Sequence, residues 1–371
     1  MAPSDRRPAE RAPGLRVATV AGVPVYIGWS WLLLAALITA LIGPSVAAQR
    51  PDLGAGAYGV GVLVALGFLL SVLVHEAAHA ISARAFGFEV RRIVADLMGG
   101  HTAFDGRTTP WSQGLTALAG PVGNILLAGV ALPIALALDT GVGAYLAQTI
   151  AQVNILLALF NLLPGMPLDG GQILMAAVWR VTGSQNRGAV VAGWGGRVVV
   201  ILVVAWFLLR PLAEGRTPDL FTLFWVVLLA GFLWRGASQS ILVGRTRERV
   251  EATRLDQVMR PVSVVAGSSP IAAWWAGPER VYVTADPVGR PTGIVRADVV
   301  ASVPPAQWEG VPASAVAVSR NPAWVADFAE PPTLGEVVLA MGRSGQDAVL
   351  VREAGQIRGI VFEADVVRAV Q

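Results

Sequence analysis

Apolar residues form long unbroken runs through the first part of the chain and short alternating ones through the last. A run of about 20 residues crosses a hydrocarbon layer as a helix, and the pattern predicts six such spans. They cover Val25 to Ala47, Gly54 to Arg84, Trp111 to Leu138, a fourth beginning near Gly143, then Ala189 to Leu209 and Leu220 to Leu242. The fourth is interrupted at NLLPGMPLDGG and resumes to Val181. Trp111, Trp179, Trp206, Trp225 and Trp234 fall near run ends, where amphipathic rings favour the membrane interface. Between the second and third runs, FGFEVRRIVADLMGGHTAFDG is too polar to span. Its alternation and Gly-Gly pair predict short strands or a hairpin at the membrane surface, with an edge open to an unwound peptide.

After Arg254 the pattern changes to β-like runs, turns and amphipathic helices, and it repeats. RVYVTADPVGRPTGIVRADVV is matched by DAVLVREAGQIRGIVFEADVV: a hairpin around a Gly turn, then Gly-Ile-Val, then Ala-Asp-Val-Val opening a helix. An internal repeat of this kind governs the organisation of the segment, and the Pro-rich VPPAQWEGVPA links its halves. The expected fold class is therefore a polytopic α-helical membrane protein with six transmembrane helices, followed by a soluble α/β domain. The expected boundaries are a cytoplasmic tail over 1–22, a membrane domain over 23–245 and a repeated domain over 246–371.

Composition agrees. Hydrophobic residues make up 54% of the 371 and charged ones 14%, about half the share usual in soluble domains, and the mean hydropathy is +0.59. The net charge of +3 rests on arginine alone, since all 28 basic residues are Arg. No basic stripe interleaved with aromatics appears, so the balance does not point to nucleic acid. The arginines alternate between connections: Arg6, Arg7, Arg11 and Arg16, then Arg84, Arg91, Arg92 and Arg107, then Arg180 and Arg187, then Arg235 to Arg254 lie on one side. The positive-inside rule then puts both termini in the cytoplasm of a cell-membrane protein. The first apolar run is too long for a signal-peptide core and reads as a retained span. With no cysteine, thiolate metal sites and disulfides are excluded.

The second run carries His75-Glu76-Ala77-Ala78-His79, which uses two of the chain's 3 histidines. Histidines four apart share one helix face. The H-E-x-x-H pattern supplies two imidazoles for a zinc ion and a carboxylate, Glu76, to act as general base. Ionisable groups inside an apolar span are costly and usually functional. A catalytic zinc takes three protein ligands and leaves a fourth position open. The best candidate for the third is Asp169, at the Pro- and Gly-rich break in the fourth run, where the alternative reading is a helix cap. Asn154 and Asn161 lie seven apart on one face, open to interhelical bonding or, for Asn154, a substrate contact. Asn161 is the better placed to donate to a developing oxyanion. Asn124, in Gly-Pro-Val-Gly-Asn, reads as structural. His101 is a proton donor, a substrate contact or a surface residue; its spacing does not decide.

Together, HEAAH at 75–79, GPVGN at 120–124 and NLLPGMPLDGG from Asn161 resemble the signature of the site-2 protease family of intramembrane zinc metalloproteases. The resemblance covers about Val17 to Val243. It implies one zinc per chain on His75, His79 and Asp169, Glu76 as base and Asn161 at the substrate or oxyanion. It further implies a single-span membrane protein as substrate, cut after a prior cleavage outside, with the lipid bilayer as setting. No PDZ-like insertion separates the third and fourth runs. The C-terminal repeat resembles a tandem cystathionine-β-synthase (CBS) pair. The nucleotide-binding acids of that pattern are present as Asp298 and Asp365, but Phe362 stands where its hydroxyl residue is expected and Arg296 occupies the point in the shorter first half. Nucleotide binding and a homodimerising or scaffold role both remain open for the pair.

Overall fold

The computed structural model describes residues 14–20, 22–96, 99–106 and 108–370, with the side chains of 99–105 left aside. The chain divides into two compact units, 1–245 and 246–371.

In the first unit, strands β1 (Leu15–Val20) and β2 (Val23–Ile27) precede helices α1 (Ser30–Gln49) and α2 (Gly56–Ala85). Strands β3 (Glu89–Asp96) and β4 (Gly99–Asp105) follow, then α3 (Pro110–Leu138), α4 (Gly141–Asn161), α5 (Asp169–Thr182), α6 (Gln185–Ala213) and α7 (Leu220–Ala252), whose residues from Thr246 on belong to the second unit. Six of these, α1 to α4, α6 and α7, are long and apolar enough to cross a membrane. Their outer faces carry Leu126, Leu136, Leu156, Leu202 and Val227, each more than half exposed. Such a surface suits lipid and would be a liability in water.

Several boundaries differ from the sequence reading, and the sixth span runs on to Ala252. The first span begins at Ser30, because Val23 to Ile27 is a strand: it pairs with β1 antiparallel and with β3 parallel, Val25 opposite Ile93. Residues 15–20, expected in the cytoplasmic tail, are its partner strand, and residues 1–13 lie outside the described part. The expected hairpin at 86–106 is present as β3 and β4, inside a sheet ordered β1-β2-β3-β4. Val23, Val25 and Ile93 close on Ala80 of α2, and Ala95 packs with Trp31, Leu69 and Val72. The sheet thus backs the same helix that carries both histidines.

The fourth span is α4 alone. The break runs from Leu162 to Leu168, and the resumed segment is α5, a separate helix of 14 residues. Its first turn folds back hard on the break. A Cβ at Gly170 would lie 2.5 Å from the Leu162 carbonyl carbon, so only glycine admits this approach. The break is also tied to α6, where Met166 N–H donates to the Ala192 carbonyl at 2.9 Å.

The second unit repeats one plan. Strand β5 (Val262–Ala266), helix α8 (Ile271–Trp274), strands β6 (Val281–Ala285) and β7 (Pro291–Val295), helix α9 (Ala297–Ser302) and strand β8 (Ala317–Ser319) form the first half. Strand β9 (Val325–Phe328), helix α10 (Leu334–Ser344), strands β10 (Ala348–Glu353) and β11 (Gln356–Phe362) and helix α11 (Glu363–Val370) form the second. Each half pairs its first strand parallel and its hairpin antiparallel. The halves differ in their first helix. Thr333 and Glu336 make a capping box for α10, and Gly345 ends it in the left-handed region, two devices that stabilise helix ends. The counterpart α8 has neither and stops after 4 residues.

Candidate metal centre and active site

The three sequence candidates for metal ligation converge. His75 Nε2 and His79 Nε2 are 3.0 Å apart, and Asp169 Oδ2 lies 3.1 Å from the first and 3.4 Å from the second. Ligand atoms about 2.0–2.1 Å from a tetrahedral zinc are separated by roughly 3.3 Å, so this triangle already has the right edge. All three residues are buried.

The hydrogen-bond partners fix what these atoms present. His79 Nδ1 lies 2.7 Å from the Thr116 carbonyl, which can only accept, so in the neutral ring Nδ1 carries the proton and Nε2 a lone pair. His75 Nδ1 lies 2.6 Å from Asn124 Oδ1. Asn124 Nδ2 donates to Asn154 Oδ1 at 2.7 Å and to the Ser71 carbonyl at 3.2 Å, which turns its oxygen toward the imidazole. Among the described residues only the two imidazoles reach Asp169 Oδ2, an atom shut away from solvent, and in the tautomer fixed at Nδ1 neither donates to it. Two lone pairs and a carboxylate oxygen facing one point without a donor repel one another, and a cation is the group that reconciles them. A nitrogen and oxygen donor set of this composition fits zinc.

The packing that makes this possible is local. On antiparallel α2 and α3, Gly120 faces His79 and Asn124 faces His75, each pair four residues apart on its own helix. A Cβ at Gly120 would come within 2.6 Å of Cε1 of both histidines, so glycine lets α3 press against the rings. Pro110 at the start of α3 and a Thr109–Ser112 capping box set where that helix begins. Asp169 is the first residue of α5; the N-cap is Leu168, which makes no side-chain cap. The aspartate therefore is not spent on capping and points its oxygen at the histidines. Glu76 is 5% exposed and stands three residues before His79, close enough for Cβ atoms 5–6 Å apart.

Asn154 is corrected from a substrate contact. It is fully buried, and its amide is consumed by Asn124, by Ser71 Oγ at 2.7 Å and by the Ile150 carbonyl at 2.8 Å. Its place is beneath His75, in a saturated network through which it orients the imidazole. Asn124, read from the sequence as merely structural, is the residue that holds His75; Thr116 and Ser71 carried no signal of their own. Asn161 ends α4, half-buried, directly before the break that leads to Asp169. His101 pairs opposite Val94 in β4, and its side chain is outside the described part.

In the second unit, Asp365 is chelated by Arg260, Nε to Oδ2 at 2.7 Å and Nη2 to Oδ1 at 2.6 Å. The same guanidinium lies 5.4 Å over the Phe362 ring. Asp298 is paired with Arg296 two residues away. Both acids are thus engaged in arginine ion pairs, Asp365 largely covered and Asp298 largely exposed.

The profile of Peptidase family M50 matches residues 63–143 and 136–205, and His75, His79 and Asp169 fall inside. Rip3 of Mycobacterium tuberculosis, described as a zinc metalloprotease, is 30% identical over 95% of this chain and 91% of its own length. The chain belongs to peptidase family M50. This site-2 protease family member is a zinc metalloprotease and a multi-pass membrane protein. A zinc metalloprotease of Synechocystis is 27% identical over 96% of this M50 chain and 95% of its own. Among solved structures, the site-2 protease of Methanocaldococcus jannaschii aligns over 61% of the chain and 94% of its own length, with 20% identity and a TM-score of 0.43. The CBS domain of a bacterial CNNM/CorC Mg2+ transporter in complex with ATP aligns over 34% of this chain and 92% of its own, at 12% identity and a TM-score of 0.25.

Proposed function

We propose that this M50 protein hydrolyses a peptide bond within a transmembrane segment of a single-span regulatory protein, using one zinc ion per chain. The observation that carries the reading is the donor-free triangle of His75, His79 and Asp169, set beside buried Glu76 within an apolar helix. A zinc ion bound there supplies Lewis acidity, lowering the pKa of water and stabilising negative charge on the carbonyl oxygen. Glu76 takes the proton of the attacking water and returns it to the leaving amine. Asn161, at the lip of the break, donates to the carbonyl oxygen as charge develops. Asn124 and the Thr116 carbonyl keep both imidazoles in the tautomer that offers Nε2.

The substrate helix must open to expose a carbonyl, and the outer edge of β4 offers backbone partners to an opened strand. The arginine distribution supports cytoplasmic termini and a cytoplasm-facing site in the cell membrane, and a first cut outside the membrane would shorten the substrate for entry. The self-paired acids Asp365 and Asp298 favour a scaffold or homodimer role for the C-terminal pair over nucleotide sensing. The test compares membrane proteomes of cells carrying wild type and Glu76→Gln. One single-span protein should accumulate uncut in the variant, and purified Glu76→Gln protein should retain zinc while losing about 100-fold or more in rate. Undiminished cleavage by the purified variant would remove Glu76 from the mechanism.

A further inference from the structure

Three glutamines from three different helices meet beside the metal site. Gln113, in the first turn of α3, donates through Nε2 to Gln172 Oε1 on α5 at 3.2 Å. Gln185, the first residue of α6, donates through Nε2 to Gln113 Oε1 at 3.4 Å. The first bond is at the long end of the usual range and the second is beyond it. On α3 and α5 the cluster's residues lie one helical turn from a residue that holds a ligand and from a candidate ligand itself. Gln113 precedes by three residues Thr116, whose carbonyl holds His79, and Gln172 follows Asp169 by three. Residues three apart on a helix have Cβ atoms 5–6 Å apart. The cluster also lies toward the ends at which α2 finishes and α3 and α6 begin. All three side chains are half-buried. A primary amide carries two donors and two acceptor lone pairs, so two bonds among three amides leave most of that capacity unspent.

We infer that Gln113, Gln172 and Gln185 bind the backbone of the opened substrate segment next to the scissile bond; this rests on the protease reading above. Each residue unwound from a helix near the membrane presents an N–H and a C=O that need partners. A side-chain amide is the chemical match for a peptide group, offering donor and acceptor together without the desolvation cost of a charge. Recognition of this kind reads an opened backbone and tolerates varied side chains.

The test uses full-length zinc-loaded Glu76→Gln protein in lipid nanodiscs. The probe is a fluorescein-labelled synthetic apolar segment of about 24 residues, long enough to span, with a central Gly-Pro break. Gln113→Met and Gln172→Met keep the side-chain volume and remove the amide. Each should weaken probe binding by about 3- to 10-fold, the equivalent of roughly one net hydrogen bond, at unchanged zinc content. Replacing single peptide bonds around the break by esters should weaken binding to the Glu76→Gln protein at one or two positions and have no further effect in Gln172→Met. Unchanged affinity in both Met variants, the same ester profile with and without the amide, or no binding to the Glu76→Gln protein overturns the inference. Should a Met variant lose zinc, Gln172→Asn takes its place, keeping an amide of shorter reach; a similar loss is expected and unchanged affinity overturns. Amide-dependent binding by a wild-type protein that never cuts the probe would count against the protease reading and leave the cluster standing. Cleavage without amide dependence would do the reverse.

Discussion

Asp169 and Asp365 are equally hidden, each with a side chain 11% exposed, and they are solvated in opposite ways. Asp365 receives two charge-assisted hydrogen bonds from one guanidinium. Among the described residues Asp169 Oδ2 is met only by the two imidazoles, which turn lone pairs toward it. Burial of a carboxylate is tolerated only when its charge is compensated, so the second aspartate is complete as it stands and the first requires a cation. Burial alone does not separate a structural acid from a ligand; the inventory of donors around it does.

That contrast predicts opposite signs. Asp169→Asn should reduce zinc from one per chain to near zero after dialysis against a competing chelator, measured by atomic absorption, and abolish cleavage. In the metal-free protein the same substitution should leave stability unchanged or raise it, because the amide supplies a donor where three acceptors crowd. Asp365→Asn should lower stability, since it removes the charge that Arg260 holds. If metal-free Asp169→Asn melts well below the metal-free wild type, the crowded-acceptor account is wrong.

Next in size are the residues that hold the ligands. Gly120→Ala sets a methyl within 2.6 Å of both imidazoles, so α3 must retreat or the rings must turn. Overpacking of this kind costs about 1–3 kcal/mol, and zinc affinity should fall by at least about tenfold. Asn124→Ala strips the acceptor from His75 Nδ1, and partners of that kind are worth about 10- to 100-fold in metal affinity or activity. Asn154→Ala lies one bond further out and should weaken zinc by only a few-fold. A raised KM with unaltered zinc affinity in Asn154→Ala would restore it as a substrate contact.

The converging triangle was legible because periodicity is enough to bring His75 and His79 to one face, and a carboxylate at a Pro- and Gly-rich break has few other uses in a membrane. The matching interval was present but not read: Gly120 and Asn124 are spaced like His79 and His75, as antiparallel packing of α2 on α3 requires, whereas Asn124 was taken as structural. What spacing does not encode is which side of a helix meets which neighbour. Asn154 was placed on a helix face with an interhelical bond and a substrate contact both open, and the assembled helices supply the first. The first strand pair escaped because Val23 to Ile27 alternates for only five residues before joining an apolar helix, so the longer run masked it. Ser71 and Thr116 act through positions that only the assembled helices define; Thr116 contributes a backbone carbonyl, which every residue has.

The smallest effects belong to the satisfied side of the comparison. Arg260→Ala should cost about 1–2 kcal/mol, the value of a charge-assisted pair whose guanidinium is half exposed, and zinc should be unaffected. Smaller still is the acid response of two outer pairs. Arg352 hydrogen-bonded to Asp327, and Arg320 to Asp347, hold both carboxyls below the usual carboxylate range. A depressed folded-state pKa contributes stability above the unfolded value of about 3.9 and loses it as pH falls through the folded one. Both aspartates are 60% or more exposed, so screening leaves a few tenths of a kcal/mol each. The unfolding midpoint of the C-terminal unit, followed by its tryptophan fluorescence in the full chain, should therefore be flat from pH 7 to about 4.5 and decline below. The Asp327→Asn, Asp347→Asn double variant should start slightly lower and decline less. An equal decline in the double variant would shift the acid sensitivity to other carboxylates and leave these two pairs without energetic weight.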